Sequence, residues 1–170
     1  MQFDQAIREY RDQHGRSLLE HSQEAPTLVV FLRHSGCTFC REALADLQER
    51  RSAIEDEGRR IGLVHMTTDS DAAAFFGKYG MDDVPRFADP DRELYDAFGL
   101  RRGNLLQLFG PTVWVRGLMA TLRGHSVGKL AGDGFQMPGV FLLHDGAIRE
   151  AYRHRTAGDR PDYVGIACSA

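Results

Sequence analysis

An apolar run ends just before a pair of cysteines, and this junction constrains the fold of the chain more than any other feature. Residues 27–32 read Thr-Leu-Val-Val-Phe-Leu, which is typical of a buried strand. The segment Cys37-Thr38-Phe39-Cys40 follows four residues later. Downstream, a helix to about residue 57 is predicted by the spacing of its apolar residues, Ala43, Leu44, Leu47 and Ile54. The sequence therefore predicts a strand, a turn with two thiols, and a helix.

The position of the two thiols favours redox chemistry. Cys37 would lie where unpaired N–H groups and the positive end of the helix dipole stabilise a thiolate, which lowers a cysteine pKa from about 8.5 to roughly 3.5–7.5. Cys40 would lie one turn further along, where it is more shielded. We expect Cys37 to be the attacking thiolate and Cys40 the resolving thiol. The intervening Thr38 and Phe39 would tune the reduction potential.

Two other interpretations of the cysteine pair compete with this one. A structural zinc site needs four ligands, but the only other cysteine is Cys168 and none of the seven histidines lies at zinc-finger spacing. A pair of inert buried thiols is the second alternative. We predict a redox pair and no metal. Cys168 is interpreted as an incidental thiol, with a resolving or intermolecular role as its alternative.

Length, charge and hydropathy exclude several classes of function. A chain of 170 residues favours one domain spanning 1–170, and a net charge of −3 gives no electrostatic argument for nucleic acid or an anionic membrane. No apolar stretch resembles a secretory signal or a membrane span. We therefore expect a cytoplasmic protein with no membrane partner. In such reducing surroundings three cysteines do not form a disulfide framework.

The remaining pattern alternates strands with helices and then ends in a hairpin. Residues 2–21 predict an amphipathic helix that Gly15 weakens, so residues 1–25 are interpreted as an N-terminal helical extension. Asp89-Pro90 is expected to start a later helix. Asp145-Gly146 predicts a tight turn between strands at 140–143 and 148–154. The early strand–helix–strand units imply parallel strands, so we predict a mixed sheet with helices on both faces.

Residues 101–136 are harder to interpret. The segment contains a helical stripe followed by a glycine-rich loop at 124–134. The stripe consists of Trp114, Val115, Leu118, Met119 and Leu122. Beyond the hairpin, residues 161–170 predict a short helix or a frayed tail.

Four segments resemble a known family. Residues 31–40 (FLRHSGCTFC), followed by Arg41-Glu42, resemble the active-site segment of the thioredoxin superfamily. More narrowly, they resemble the peroxiredoxin-like group related to alkyl hydroperoxide reductase and thiol-specific antioxidant proteins. Residues 87–99 are similar to the stretch after the third strand of peroxiredoxins, residues 137–141 to the cis-proline region, and residues 143–148 to the terminal hairpin. Together these segments cover roughly residues 27–153.

The resemblance implies a thioredoxin-like three-layer α/β fold, with an insertion at residues 100–136 before the cis-proline strand. From the residues alone, Pro138 is a trans proline at a strand start, whereas the resemblance implies a cis Met137–Pro138 bond facing the cysteines. Thr38, Phe39, Met137 and Pro138 would contact substrate. The resemblance also implies a thiol-dependent oxidoreductase without a bound cofactor. It would reduce peroxides or disulfides and take electrons from a thioredoxin- or glutathione-type reductant. A homodimer is left open.

The chain also departs from the family pattern. Typical peroxiredoxins carry a proline and a threonine at fixed distances before a single peroxidatic cysteine. Counted back from Cys40, the threonine position holds Cys37, and counted back from Cys37 it holds His34. Which thiol corresponds to the peroxidatic one is therefore open. The alternative function is a redox-sensing or binding module, in which the disulfide changes a partner surface with little turnover.

Overall fold

The structure is a computed structural model that describes residues 1–33, 37–104 and 133–169, with residues 107, 108, 110, 113, 115, 118, 119 and 122 between them. Helices and strands alternate along the first part of the chain, and a hairpin and a short helix follow. The helices are α1 (Phe3–Glu9), α2 (Leu18–Glu24), α3 (Thr38–Glu55), α4 (Asp69–Gly77), α5 (Glu93–Ala97) and α6 (Tyr163–Ala167). The strands are β1 (Thr27–Phe31), β2 (Arg60–His65), β3 (Arg86–Ala88), β4 (Gly139–His144) and β5 (Ala147–Arg153).

The five strands form one mixed sheet in the order β3-β2-β1-β4-β5. Strand β1 is central: it runs parallel to β2, with Val29 opposite Gly62, and antiparallel to β4, with Val29 opposite Phe141. Strands β2 and β3 are parallel, and β4 and β5 are antiparallel. The predicted mixed sheet is thereby confirmed.

Helices cover both faces of this sheet. All five residues of β1 are buried, and they alternate between two apolar clusters. Leu28 and Val30 pack with residues of α3, α4 and α6, whereas Val29 and Phe31 pack with residues of α1, α2 and α5. A strand that is buried on both faces has no polar side, which explains its uninterrupted apolar sequence. The three-layer arrangement agrees with the prediction.

Local sequence signals predicted two of the turns correctly. Helix α3 ends at Glu55, and Gly58 follows with a φ of 71°, a left-handed conformation that glycine adopts without strain. In the hairpin, Asp145 and Gly146 have φ values of 50° and 70°. Two consecutive left-handed residues match the twist of the flanking strands, so the predicted Asp-Gly turn is confirmed.

The helix predicted over residues 2–21 is split in two, and the break contains Gly15, the residue predicted to weaken it. The chain leaves α1 after Glu9, turns through Gly15 at a φ of 81°, and starts α2 at Leu18. Ser17 caps α2 in a capping box with Glu20, and this local signal outweighs continuation of a single helix. The short helix predicted after residue 161 is present as α6.

The helix expected at Asp89-Pro90 starts later, at Glu93, after Arg92 in a left-handed conformation with a φ of 64°. Asp89 still serves as its cap from outside the helix. Its buried carboxylate accepts hydrogen bonds from the backbone N–H groups of Glu93, Leu94 and Tyr95 at 3.0, 2.8 and 3.0 Å. These bonds satisfy amides that have no partner within a helix.

Trp114 of the predicted stripe and most of the glycine-rich loop at 124–134 lie outside the described residues. Four members of the stripe are described, and each is more than half exposed: Val115, Leu118, Met119 and Leu122. Among the residues that the structure describes, no helix has the length and apolar character needed to cross a membrane.

Candidate active site

The two cysteines lie at the start of α3, where the chain leaves the central strand. Cys37 is the N-cap residue of the helix, and Cys40 lies in its first turn. Their exposed fractions are only 5% and 4%, and no disulfide joins them. The backbone N–H of Cys40 donates to the carbonyl of Cys37 at 3.1 Å, which closes the first turn. The motif therefore presents two buried thiols at the positive end of an 18-residue helix.

Arg33 contacts both sulfur atoms. Its backbone N–H donates to Cys40 Sγ at 3.2 Å, and its guanidinium Nη1 donates to Cys37 Sγ at 3.5 Å. The guanidinium is buried, and the carbonyls of Gln136, at 3.1 Å from Nε, and Gly134 hold it in place. Within the described ranges no carboxylate pairs with it. The structure therefore places a buried cation beside Cys37 Sγ.

The surroundings of Cys37 favour its thiolate form. A hydrogen bond from the Cys40 side chain is the largest influence that lowers the Cys37 pKa, while burial opposes it. The charge of Arg33 and the amide dipoles of Cys40 and Phe39 lower it further, so the pKa falls to about 6. The sulfur makes no capping hydrogen bond of ordinary geometry, so the amides act as nearby dipoles. At neutral pH Cys37 is thus predominantly a thiolate.

A buried tyrosine fixes the segment that follows β1 and carries Arg33. The hydroxyl of Tyr95 donates to the carbonyl of Leu32 and lies 3.3 Å from that of Val64. Asp89 holds the backbone of Tyr95 at the start of α5 and also accepts from the hydroxyl of Tyr10 at 2.8 Å. These hydrogen bonds connect α5 and the end of α1 to Leu32. They thereby help to position the neighbouring Arg33, which contacts both sulfurs.

A narrow pocket opens beside Cys40. Its volume is about 20 Å³, which gives room for one water molecule. The walls come from the end of β1, the first turns of α3, the start of β4 and residues 154–163. The lining residues that bear on chemistry are Arg33, Phe39, Cys40, Pro138, His154 and Tyr163.

The sequence-predicted site residues only partly come together. Cys40, Phe39 and Pro138 line the same pocket. Cys37, Thr38 and Met137 are buried but do not line it, and Met137 instead packs with Leu108, Ala157 and Phe39.

The expectation of a cis bond before Pro138 is wrong, because every peptide bond in the described residues is trans. The trans form is intrinsically favoured by about 0.5–1 kcal/mol, and the local pairing suits it. The N–H of Met137 donates to the carbonyl of Arg101 at 3.2 Å, and the carbonyl of Pro138 accepts from His154 at 3.3 Å. These bonds hold an extended segment that continues into β4.

An ion pair fastens the last wall of the pocket to α3. The buried carboxylate of Asp46 accepts from Nε of Arg160 at 2.5 Å and also from its Nη2. Glu42 lies 3.8 Å from Nη1 of the same arginine. Because 114 residues separate Arg160 from Asp46, this contact closes the site from a distant part of the chain.

His154 stands out among the groups of that wall. Its Nδ1 atom is buried and has no hydrogen-bond partner among the described residues. Burial lowers its pKa to about 4, with Asp159 raising it and Arg33 lowering it. The imidazole is therefore neutral at pH 7.

Sequence reasoning missed both Arg33 and His154. A signal for Arg33 existed, since a cation directly after the strand and four residues before Cys37 can stabilise a thiolate. His154 had no local signal. Cys168 lies exposed just after α6. No group of three candidate metal ligands occurs within the part of the chain that the structure describes.

The sheet order and the thiol pair at the start of α3 define a thioredoxin-like protein of the peroxiredoxin class. Among solved structures, the peroxidoxin BcpB of Mycobacterium tuberculosis superposes with a TM-score of 0.65 at 14% identity, covering 94% of this chain and 90% of that one. Bacterioferritin comigratory protein of Xanthomonas campestris gives a TM-score of 0.64 at 16% identity, covering 96% and 88%. At such identities the likeness shows the fold.

Residues 46–158 match the profile of the AhpC/TSA antioxidant enzyme family, and the chain belongs to that family. The matched region starts after the cysteine pair. Human peroxiredoxin-like 2A is 28% identical over 146 residues, which are 82% of this chain and 60% of that protein. Bovine peroxiredoxin-like 2C is 28% identical over 145 residues, or 79% of this chain and 64% of that protein. The chain thus spans about three fifths of the length of these relatives.

Proposed function

We propose that this protein is a thiol-dependent oxidoreductase that reduces peroxides with the Cys37–Cys40 pair. The observation that carries the proposal is the double contact of Arg33, whose guanidinium lies beside Cys37 Sγ and whose backbone N–H holds Cys40 Sγ. A cation next to a buried sulfur supplies the thiolate that attack on an O–O bond requires. Family membership supports the same chemistry.

The proposed reaction has three steps. The Cys37 thiolate attacks one peroxide oxygen, the O–O bond breaks, and the departing alkoxide or hydroxide takes up a proton. Cys37 is then a sulfenic acid. Cys40 attacks that sulfur, water leaves, and a Cys37–Cys40 disulfide forms. A thioredoxin- or glutathione-type reductant restores the two thiols by disulfide exchange. Such a cycle suits a reducing compartment such as the cytoplasm.

The burial of both sulfurs favours small substrates. In the reduced protein Cys37 and Cys40 are only 5% and 4% exposed, which favours a small oxidising substrate over a bulky one. A peroxide presents only two reacting oxygens and fits a narrow entrance. Among the predicted substrate residues, Phe39 and Pro138 line the pocket and are the proposed contacts. Thr38 and Met137 are proposed to support these contacts from behind.

The test is peroxide turnover with four forms of the full chain: wild type, Cys37→Ser, Cys40→Ser and Cys168→Ser. We expect Cys37→Ser to abolish peroxide consumption. Cys40→Ser should consume one equivalent and leave a trappable sulfenic acid at Cys37. Cys168→Ser is the matched control and should turn over like the wild type, with mass spectrometry locating the disulfide between Cys37 and Cys40.

Two outcomes would contradict the proposal. Full activity of Cys37→Ser would reject Cys37 as the attacking thiol. One stoichiometric oxidation that neither thioredoxin nor glutathione reverses in repeated cycles would instead indicate the redox-sensing function.

A further inference from the structure

The surroundings of the Cys40 thiol proton change during the proposed cycle. In the reduced protein the Cys40 side chain donates a hydrogen bond to the Cys37 sulfur, which is its acceptor. Once Cys37 is oxidised, its sulfur has no negative charge and no longer attracts that proton. The backbone N–H of Arg33 occupies the other side of Cys40 Sγ as a donor and cannot accept a proton. Attack by Cys40 requires a base that takes up its proton.

The carboxylates near the pocket are already engaged. Both oxygens of Asp46 accept from Arg160. Asp159 accepts from the backbone N–H of Arg155 at 2.6 Å and from the Thr156 hydroxyl at 2.6 Å, and hydrogen bonds from these residues lower its pKa. Glu42 faces Arg160 at 3.8 Å. Ion-paired or hydrogen-bonded carboxylates are weak proton acceptors, because protonation would cost them those bonds.

His154 has the free lone pair that these groups lack. It lines the same pocket as Cys40, and its buried Nδ1 has no hydrogen-bond partner among the described residues. In the tautomer that carries its proton on Nε2, Nδ1 is an acceptor. The pocket that both residues line has room for one water molecule.

We propose that His154 accepts the proton of Cys40 as Cys40 attacks the oxidised Cys37. The inference rests on the proposed function, which assigns Cys37 and Cys40 their roles. The S–S bond forms while the S–H bond of Cys40 breaks, and Nδ1 of His154 takes the proton. The bond from Cys37 Sγ to its leaving group breaks with its electron pair. Hydroxide leaving from a sulfenic acid then takes the proton from the imidazolium and departs as water.

The charges around His154 suit a base that is protonated only briefly. Arg33 from the end of β1 opposes its protonation, whereas Asp159 from its own segment favours it. Asp46 and Glu42 of α3, Arg160 and the buried Tyr163 also line the pocket. Because burial lowers the imidazole pKa to about 4, the ring stays neutral between attacks. A base of that strength accepts a thiol proton only in concert with S–S bond formation.

The resolving step can be tested without peroxide. In a Cys168→Ser background, one equivalent of methyl methanethiosulfonate places a thiomethyl group on Cys37, and attack by Cys40 then expels methanethiol. Acid quenching and intact mass separate the adduct from the disulfide. We expect His154→Asn to slow loss of the adduct by about 100-fold at pH 7, with its formation unchanged. His144→Asn, at the half-exposed hairpin turn, is the matched control and should behave like the background protein.

A pH profile gives an independent measurement. In the background protein the resolving rate should be flat from pH 5.5 to 7.5, since His154 is neutral throughout this range. In His154→Asn it should rise about tenfold per pH unit, because only pre-ionised Cys40 then reacts. Added imidazole should restore part of the lost rate. A background rate that itself rises about tenfold per pH unit would overturn the inference, even if the variant failed to fold.

Failure of the inference and failure of the proposed function give different results. If the background protein forms the adduct and resolves it, and His154→Asn does so at the same rate, only the role of His154 is rejected. If the background protein never converts the adduct to a disulfide, Cys40 is not a resolving thiol and both proposals fail. Equal slowing of adduct formation and resolution would indicate a structural role and would also reject the inference.

Discussion

The guanidinium Nη1 of Arg33 lies 3.5 Å from the sulfur of Cys37, and both side chains are buried. An opposite charge at this distance lowers an acidic pKa by about 1–3 units, and the effect is weakly screened away from water. The cation thus adds to the hydrogen bond from Cys40 in favouring the Cys37 thiolate at neutral pH. The carbonyls of Gln136 and Gly134 accept hydrogen bonds from the guanidinium and hold it in place.

Replacing this cation should raise the pKa of Cys37. We expect Arg33→Gln to move it from about 6 upward by about one unit or more, since the charge that favours the thiolate is gone. The rate of iodoacetamide alkylation as a function of pH reports the midpoint of the Cys37 titration. Arg149→Gln, at an exposed position of β5, is the control and should keep the wild-type midpoint. An unchanged midpoint in Arg33→Gln would show that Cys40 and the helix amides are enough to lower the Cys37 pKa without the cation.

The Asp89 carboxylate should be a major determinant of stability. Asp89→Asn keeps the size of the side chain but turns one acceptor into a donor that faces backbone N–H groups. We expect a loss of roughly 2–4 kcal/mol in the free energy of unfolding by urea. Tyr10→Phe removes one of the same hydrogen bonds and should cost about 1 kcal/mol. Equal losses in the two variants would argue against the helix amides as the main partners of Asp89.

Acid should destabilise the protein through His65. Burial lowers the pKa of this histidine from 6.5 to about 4, so the unfolded chain binds a proton that the folded chain excludes as pH falls across that range. The contribution of neutral His65 to the free energy of unfolding is present in full above pH 6.5. It falls by up to about 3 kcal/mol towards pH 4. In His65→Leu, urea unfolding at pH 7 and pH 5 should give a smaller difference than in wild type. His14→Gln, at an exposed position, should keep the wild-type difference.

Local patterns predicted most of the fold. The buried run of β1 and the turn at Asp145-Gly146 depend on neighbouring residues, and both are found as expected. The start of α5 was missed because Asp89 caps from four residues before the helix, through a turn that the Asp-Pro pair does not specify. The boundary between α1 and α2 was set by the Ser17 capping box rather than by apolar spacing.

The site was less predictable because pairing between distant segments builds it. Cys37 and Cys40 were found from their spacing. The contact of Arg33 with Gln136 joins residues 103 positions apart, and His154 reaches the pocket only because β5 pairs with β4, which pairs with β1. No local pattern encodes such contacts. Pro138 illustrates the reverse, since its own sequence context predicted a trans bond and the family resemblance did not.

The ion pair between Arg160 and Asp46 has a consequence for the timing of reactivity. A growing chain exposes both cysteines more than a hundred residues before the segment that completes their surroundings is made. Until then the wall of the pocket that Arg160 fastens to α3 is missing. The carbonyls of Gly134 and Gln136 that hold the Arg33 guanidinium also belong to late segments, so the fixed position of this cation beside Cys37 arises only with long-range tertiary contacts.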